Sequence, residues 1–173
     1  MAREDALLKK IKGGDMACLD ELVRLLYPDI LRYCLWHTGS AQNAEDATQE
    51  TFMKAIRHLD GYVHRGKFKA FLYRIAANVC VDLWRRKEAA ALPEAAPYLE
   101  SGFREAEAGL DFASMVARLP KRQQEVVVLR FAHDLTMREI ADVLGEPMRT
   151  VQTRLRTALK RLEKESKGES SHA

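Results

Sequence analysis

The stretch Leu135-Thr-Met-Arg-Glu-Ile-Ala-Asp-Val-Leu-Gly-Glu-Pro-Met-Arg-Thr-Val-Gln-Thr-Arg-Leu-Arg-Thr-Ala-Leu-Lys-Arg-Leu162 reads as helix, turn, helix. Thr136 is placed to cap a helix whose third residue, Glu139, completes a capping box, and Ile140, Ala141 and Leu144 then share an apolar face. Gly145 ends that helix. Pro147 suits the start of the next, where Val151, Leu155, Ala158, Leu159 and Leu162 recur at helical spacing. The second helix is polar and basic on its other side, with Arg149, Thr150, Gln152, Thr153, Arg154, Arg156 and Lys160. In a DNA-binding helix-turn-helix the second helix enters the major groove and its first residues meet base edges. Arg149, Gln152, Thr153 and Arg156 are the candidates nearest the bases, since Arg and Gln make bidentate contacts to guanine and adenine. Arg154 and Lys160 are candidates for phosphate contacts. Two packed helices with a solvated basic face are the competing reading.

The rest of the chain is consistent with two helical lobes. Of its 173 residues 47% are hydrophobic, enough for one domain or two small cores. Residues 1–87 carry 15 basic and 11 acidic side chains, 88–111 carry 1 and 6, and 112–173 carry 12 and 8. Two basic lobes therefore flank an acidic connector with Ala-rich runs, Pro93 and Pro97, which reads as a linker. The positive lobes favour an anionic partner. Cys18, Cys34 and Cys80 are too far apart for a zinc framework and read as buried free thiols in a reducing cytosol, so neither a metal nor a cofactor is expected. No apolar run reaches membrane-spanning length and no secretory signal opens the sequence, so a cytoplasmic protein without membrane insertion is expected.

In the first lobe, Leu7, Leu8 and Ile11, then Leu19, Leu22, Val23 and Leu26, follow helical intervals, with Asp15 a candidate cap between them. Pro28 is expected to interrupt before a third helical stripe of Ile30, Leu31, Cys34 and Leu35. The segment 43–59 splits into two faces: Ala44, Ala47, Thr48, Thr51, Phe52, Ala55 and Ile56 inward, Glu45, Asp46, Gln49, Glu50 and Met53 outward. The outer face is acidic on a basic lobe and is a candidate docking surface for a basic protein. A solvated face favoured by the helix dipole is the alternative.

After the loop Asp60-Gly-Tyr-Val-His-Arg-Gly66, a long amphipathic helix is expected, with Phe68, Phe71, Leu72, Ile75, Ala76, Val79 and Leu83 as its core stripe. Its other side offers Lys67, Lys69, Tyr73, Arg74, Asn78, Asp82, Trp84, Arg85 and Arg86. Charge interleaved with rings and an amide suits a single nucleic-acid strand. Tyr73 and Trp84 are read either as stacking or as packing residues.

With these elements in view, the chain resembles the extracytoplasmic-function (ECF) sigma factors of RNA polymerase. The resemblance rests on three motifs in order: Ala44-Glu-Asp-Ala-Thr-Gln-Glu-Thr-Phe52, Phe68-Lys-Ala-Phe-Leu-Tyr-Arg-Ile-Ala-Ala-Asn-Val-Cys-Val-Asp82, and Leu119-Pro-Lys-Arg-Gln-Gln-Glu-Val-Val127 leading into Glu139-Ile-Ala141. It implies an all-α fold with sigma region 2 at 1–87, a linker at 88–109, sigma region 4 at 110–165 and a disordered tail at 166–173. It also implies that Asp46, Gln49, Glu50 and Met53 dock on the clamp helices of the polymerase core. Arg74 and Asn78 would touch the melted minus-ten strand, with Asp60, Gly61, Tyr62, His64, Arg65 and Lys67 in or beside the loop around an extruded base. Region 4 would read the minus-thirty-five duplex through the basic helix and sit on the polymerase flap. An anti-sigma protein is a further expected partner, and no catalytic residue is implied. Three positions depart from the family pattern: Phe71 replaces a common Trp, Arg149 a usual Gly, and Gln152 a commonly basic residue. The last two lie where bases are read, so the upstream promoter preference should be this chain's own. The rivals from other classes are a two-domain transcriptional regulator that binds a palindromic duplex without polymerase, and a purely helical adaptor.

Overall fold

The computed structural model describes residues 3–65, 68–90 and 107–170. All regular structure among them is helical, and the chain divides into two compact units, residues 1–102 and 103–173. Unit one contains α1 (Arg3–Lys12), α2 (Cys18–Thr38), α3 (Ala41–Arg57) and α4 (Phe68–Ala89). Unit two contains α5 (Glu107–Ala117), α6 (Lys121–Val127) running into a π-helical turn (Val128–Ala132), α7 (Met137–Leu144) and α8 (Met148–Ser170).

Helix α2 passes straight through Pro28, correcting the expected interruption. Proline removes one backbone donor, but Pro28 and Arg24, whose carbonyl loses that bond, are both exposed, where water can replace it. Leu22, Leu26, Ile30, Tyr33 and Cys34 are buried on either side of the proline, and this continuous apolar face holds the helix together. Asp15 does not cap α2, whose N-cap position is Ala17; its carboxylate instead accepts from the Cys18 thiol at 3.3 Å. All three cysteines are free, with Cys34 and Cys80 buried and Cys18 only half-buried at the helix start. Hydrogen bonding from the Cys80 side chain lowers the Cys34 thiol pKa, against the effect of burial.

Helix α3 starts at Ser40, whose hydroxyl accepts from Asn43 N at 3.2 Å. Thr48 and Thr51 are fully buried, yet each hydroxyl donates to the carbonyl four residues back, at 2.6 and 2.7 Å. That bond is why threonine is tolerated in this core. Ile56, expected inside, is 40% exposed. Helix α4 packs on both α2 and α3, so its buried surface is wider than a single stripe: Phe68, Ala70, Leu72, Tyr73, Ala76, Val79 and Cys80. Tyr73 is thus core, in an edge-on contact with Tyr33 at 5.4 Å between ring centres, while Phe71, Ile75 and Leu83 are half-buried. Trp84 faces solvent, 45% exposed.

In unit two, Val126, Val127, Val128 and Leu129 are all buried, four in succession. An α-helix presents no such run to one side, and the π turn accommodates it before His133 N closes on Val128 O at 3.2 Å. The chain then reverses through Asp134, the one non-glycine residue with positive φ (55°) among those described. Thr136 and Glu139 form the complete capping box, with Thr136 N donating to the carboxylate at 2.7 Å and Glu139 N to the hydroxyl at 3.3 Å. Gly145 closes α7 at φ 64°, the left-handed conformation that glycine enters without a Cβ penalty. Pro147 opens the next helix, its carbonyl accepting from Thr150 and Val151 N. Helix α8 runs to Ser170, so residues 166–170 of the expected tail continue the helix. Residues 171–173, most of the expected linker (91–106), Gly66 and the candidate Lys67 lie outside the described residues.

Candidate polymerase and promoter interfaces

Three separate surfaces emerge from these elements. On α3, Glu45, Asp46, Gln49 and Met53 are exposed, and Asp46, Gln49 and Met53 share one face by their three- and four-residue spacing. Met53 is 57% exposed, so with Ile56 the acidic face carries apolar contact area as well as charge. Beside Ile56 an apolar cleft opens between α2 and α3, lined by residues including Leu19, Val23, Phe52 and Leu59. Glu50 differs from its neighbours: it is half-buried and paired with Lys54 at 3.1 Å. Part of its charge is already used within the helix.

The second surface is the outer side of α4 with the loop before it. Arg74 and Asn78 are exposed and one helical turn apart, so both project from the same side. Val81, Trp84 and Arg85 continue an exposed surface toward the helix end. In the loop, Asp60, Gly61 and Arg65 are exposed, whereas Tyr62 and His64 are half-buried. The Tyr62 ring lies 4.5 Å from Phe71 and 5.7 Å from Phe68, which anchors the loop to the first turn of α4. Burial, then the nearby Asp5 carboxylate, push the Tyr62 phenol above its usual pKa, while a hydrogen bond with the Arg65 backbone acts the other way. Sequence reading missed Asp5 and Lys12, which reach this loop from α1. Neither had a local signal, because the contacts span some fifty residues of chain.

The third surface is α8. Arg149, Thr150, Gln152, Thr153, Arg156 and Lys160 are exposed from its first turn to its middle, so these residues read as base or phosphate contacts are available together. Arg154 is the exception. Its guanidinium lies 2.7 Å from the Glu146 carboxylate, with only 14% of the Arg154 side chain exposed. The pair joins the turn to the helix. Replacing Arg154 with Ala should therefore lower unit-two stability by about 1 kcal/mol, the upper end for a partly exposed pair, with little change in the salt dependence of DNA binding. Lys160→Ala should instead leave stability alone and reduce the salt slope by about 1. Thermal melting and binding titrations at several salt concentrations separate the two behaviours.

Among the described residues, no group of three or more His, Cys, Asp or Glu side chains could hold a metal ion, and no helix is long and apolar enough to cross a membrane. Residues 22–90 match the family model for Sigma-70 region 2, and residues 110–162 the model for Sigma-70, region 4. The ECF RNA polymerase sigma factor SigD of Mycobacterium tuberculosis is 31% identical over 94% of this chain and 84% of its own length. SigW of Bacillus subtilis, also an ECF RNA polymerase sigma factor, is 27% identical over 91% of this chain and 94% of its own. Among solved structures, CnrH in complex with the cytosolic domain of CnrY superposes with a TM-score of 0.71 over 95% of this chain and 97% of that chain, at 23% identity. The chain belongs to the ECF RNA polymerase sigma factors, and its function is that of a sigma factor in transcription initiation.

Proposed function

We propose that this sigma factor divides its work among the three surfaces. The α3 face carrying Asp46, Gln49, Glu50 and Met53 docks on the clamp helices of the polymerase core. Arg74 and Asn78, with loop 60–67, hold the melted minus-ten strand. Helix α8 reads the minus-thirty-five duplex through Arg149, Gln152, Thr153 and Arg156, while Thr150 and Lys160 lie at the adjoining backbone and region 4 rests on the flap. The observation that supports this best is the joint exposure of Arg74 and Asn78 beside an aromatic-anchored loop, in a chain that also carries a capped helix-turn-helix. A duplex-only regulator has no use for the first of these. The protein works by binding: favourable contacts to the open strand offset unstacking of a few kcal/mol, and the polymerase supplies the chemistry. Its place of work is the cytoplasm.

Restraint of the free protein by an anti-sigma partner belongs to the same proposal. CnrH was solved with the cytosolic domain of CnrY, and RpoE of Bartonella quintana with the anti-sigma factor NepR. The exposed acidic and apolar face of α3 is the natural surface to mask. The deciding experiment is in vitro transcription with core polymerase on promoter fragments selected from a genomic library. Wild-type protein should give discrete starts, and Asn78→Ala should bind core normally yet open promoters poorly. A protein that starts nothing but shifts a palindromic duplex without polymerase would be a regulator instead.

A further inference from the structure

Helix α1 lies ahead of residue 22, where the match to the region 2 model begins, yet it is firmly seated and touches the loop that precedes α4. Leu7, Leu8 and Ile11 are buried, and Arg3 pairs with Glu21 of α2 at 2.7 Å. From this base two side chains reach the loop. Lys12 Nζ donates to the Tyr62 carbonyl and lies 5.4 Å from the centre of the Tyr62 ring, so one ammonium holds both the backbone and the side chain of that residue. Asp5 faces His64 Nε2 at 3.7 Å, with 13% of the Asp5 and 15% of the His64 side chain exposed. The Tyr62 ring in turn lies 6.1 Å from His64 and packs on Phe68 and Phe71. Backbone bonds from Leu59 and Tyr62 N close the start of the loop onto Ile56 and Leu59, but no backbone bond runs from residues 63–65 to another described segment. The shape of that stretch is therefore set by side chains, and two of the four that set it come from α1.

We infer that α1 is part of the promoter-reading apparatus: Lys12 and Asp5 are positioning residues that hold Tyr62 and His64 in the conformation that receives an extruded minus-ten base. The inference rests on the proposed role of the loop. A base pocket discriminates only if its walls stay in place, because a loop free to rearrange accepts several bases at similar cost. Lys12 itself is exposed and Asp5 half-buried on a helix with its own apolar anchor, so removing either contact loosens the loop without unseating α1.

The test uses the full chain bound to core polymerase and fluorescent single-stranded oligonucleotides spanning the non-template minus-ten region of a promoter that the protein initiates, with each of the four bases in turn at the extruded position. Wild type, Lys12→Met, Asp5→Asn and Lys12→Arg are compared by anisotropy, alongside thermal melting, core affinity and affinity for the upstream duplex. Lys12→Met should cut the preference for the best over the worst base roughly tenfold, with the other three readouts unchanged. Asp5→Asn should do the same to a smaller degree, since an amide still reaches His64 but carries no charge. Lys12→Arg should restore the preference, as guanidinium supplies both the donor and the contact with the ring. A merely structural role would lower melting temperature and all affinities together, and that outcome overturns the inference. So does an unchanged base preference in Lys12→Met with wild type binding normally. If wild type itself binds no strand, the assignment of the loop falls first and this inference with it.

Discussion

Asp46→Arg should abolish productive binding to core polymerase while leaving the fold intact. Asp46 is exposed on α3 with Gln49 and Met53, so the change meets solvent rather than core. Reversing a charge at a solvent-facing helical position costs a few tenths of a kcal/mol of stability. In a charge-complementary interface the same reversal replaces attraction with like-charge contact, which costs about 2–5 kcal/mol, at least a roughly thirtyfold loss of affinity. Met53→Ala should weaken binding through lost apolar contact and be insensitive to salt. Glu50→Ala should fall well below Asp46→Arg, because Lys54 already neutralises part of that carboxylate. Titration of labelled protein with core polymerase at low and moderate salt measures all three. Full retention of binding by Asp46→Arg would move the docking surface elsewhere on region 2.

How much of this was legible in the sequence depended on how local each signal was. The cap of α7, its end at Gly145 and the start of α8 were read correctly, because Thr136, Glu139, Gly145 and Pro147 act on their immediate neighbours, whereas the far end of α8 and the exposure of Leu159 were not. Pro28 failed for the opposite reason: a local rule against proline lost to the apolar face that α2 buries on both sides of it. The Arg154–Glu146 pair lay within reach of sequence reasoning, eight residues apart across the turn, but Arg154 was read as a phosphate contact and its partner in the turn was not considered. The contacts of Asp5 and Lys12 with the loop were illegible in principle, since no periodicity in one segment reports what another packs against.

Tyr73 shows the same limit, and it carries the largest expected effect on stability. A helix packed on one neighbour buries one stripe, and on that assumption Tyr73 falls on the side of Arg74 and Asn78, which left stacking and packing both open for it. Because α4 packs on α2 and α3 together, Tyr73 is fully buried against Tyr33, whereas Trp84 is the aromatic left in solvent. Tyr73→Ala should therefore destabilise unit one by about 3–5 kcal/mol, the range for removing a large buried ring, which is much of the stability of a small domain. Trp84→Ala should stay within about 0.5 kcal/mol and register, if at all, in strand affinity. Burial pushes the Tyr73 phenol above its usual value of 10.0, with the Asp29 carboxylate adding to the rise. The folded state then keeps its proton while the unfolded chain releases one above pH 10, so the unfolded state is stabilised relative to the folded one as pH rises. The stability is complete below pH 10 and declines beyond it. Urea melts of wild type at neutral pH and above pH 10 should show that alkaline loss, and Tyr73→Phe should make it shallower. A Tyr73→Ala protein that melts with wild type would mean the ring is not part of the core, and would return it to the strand-binding face.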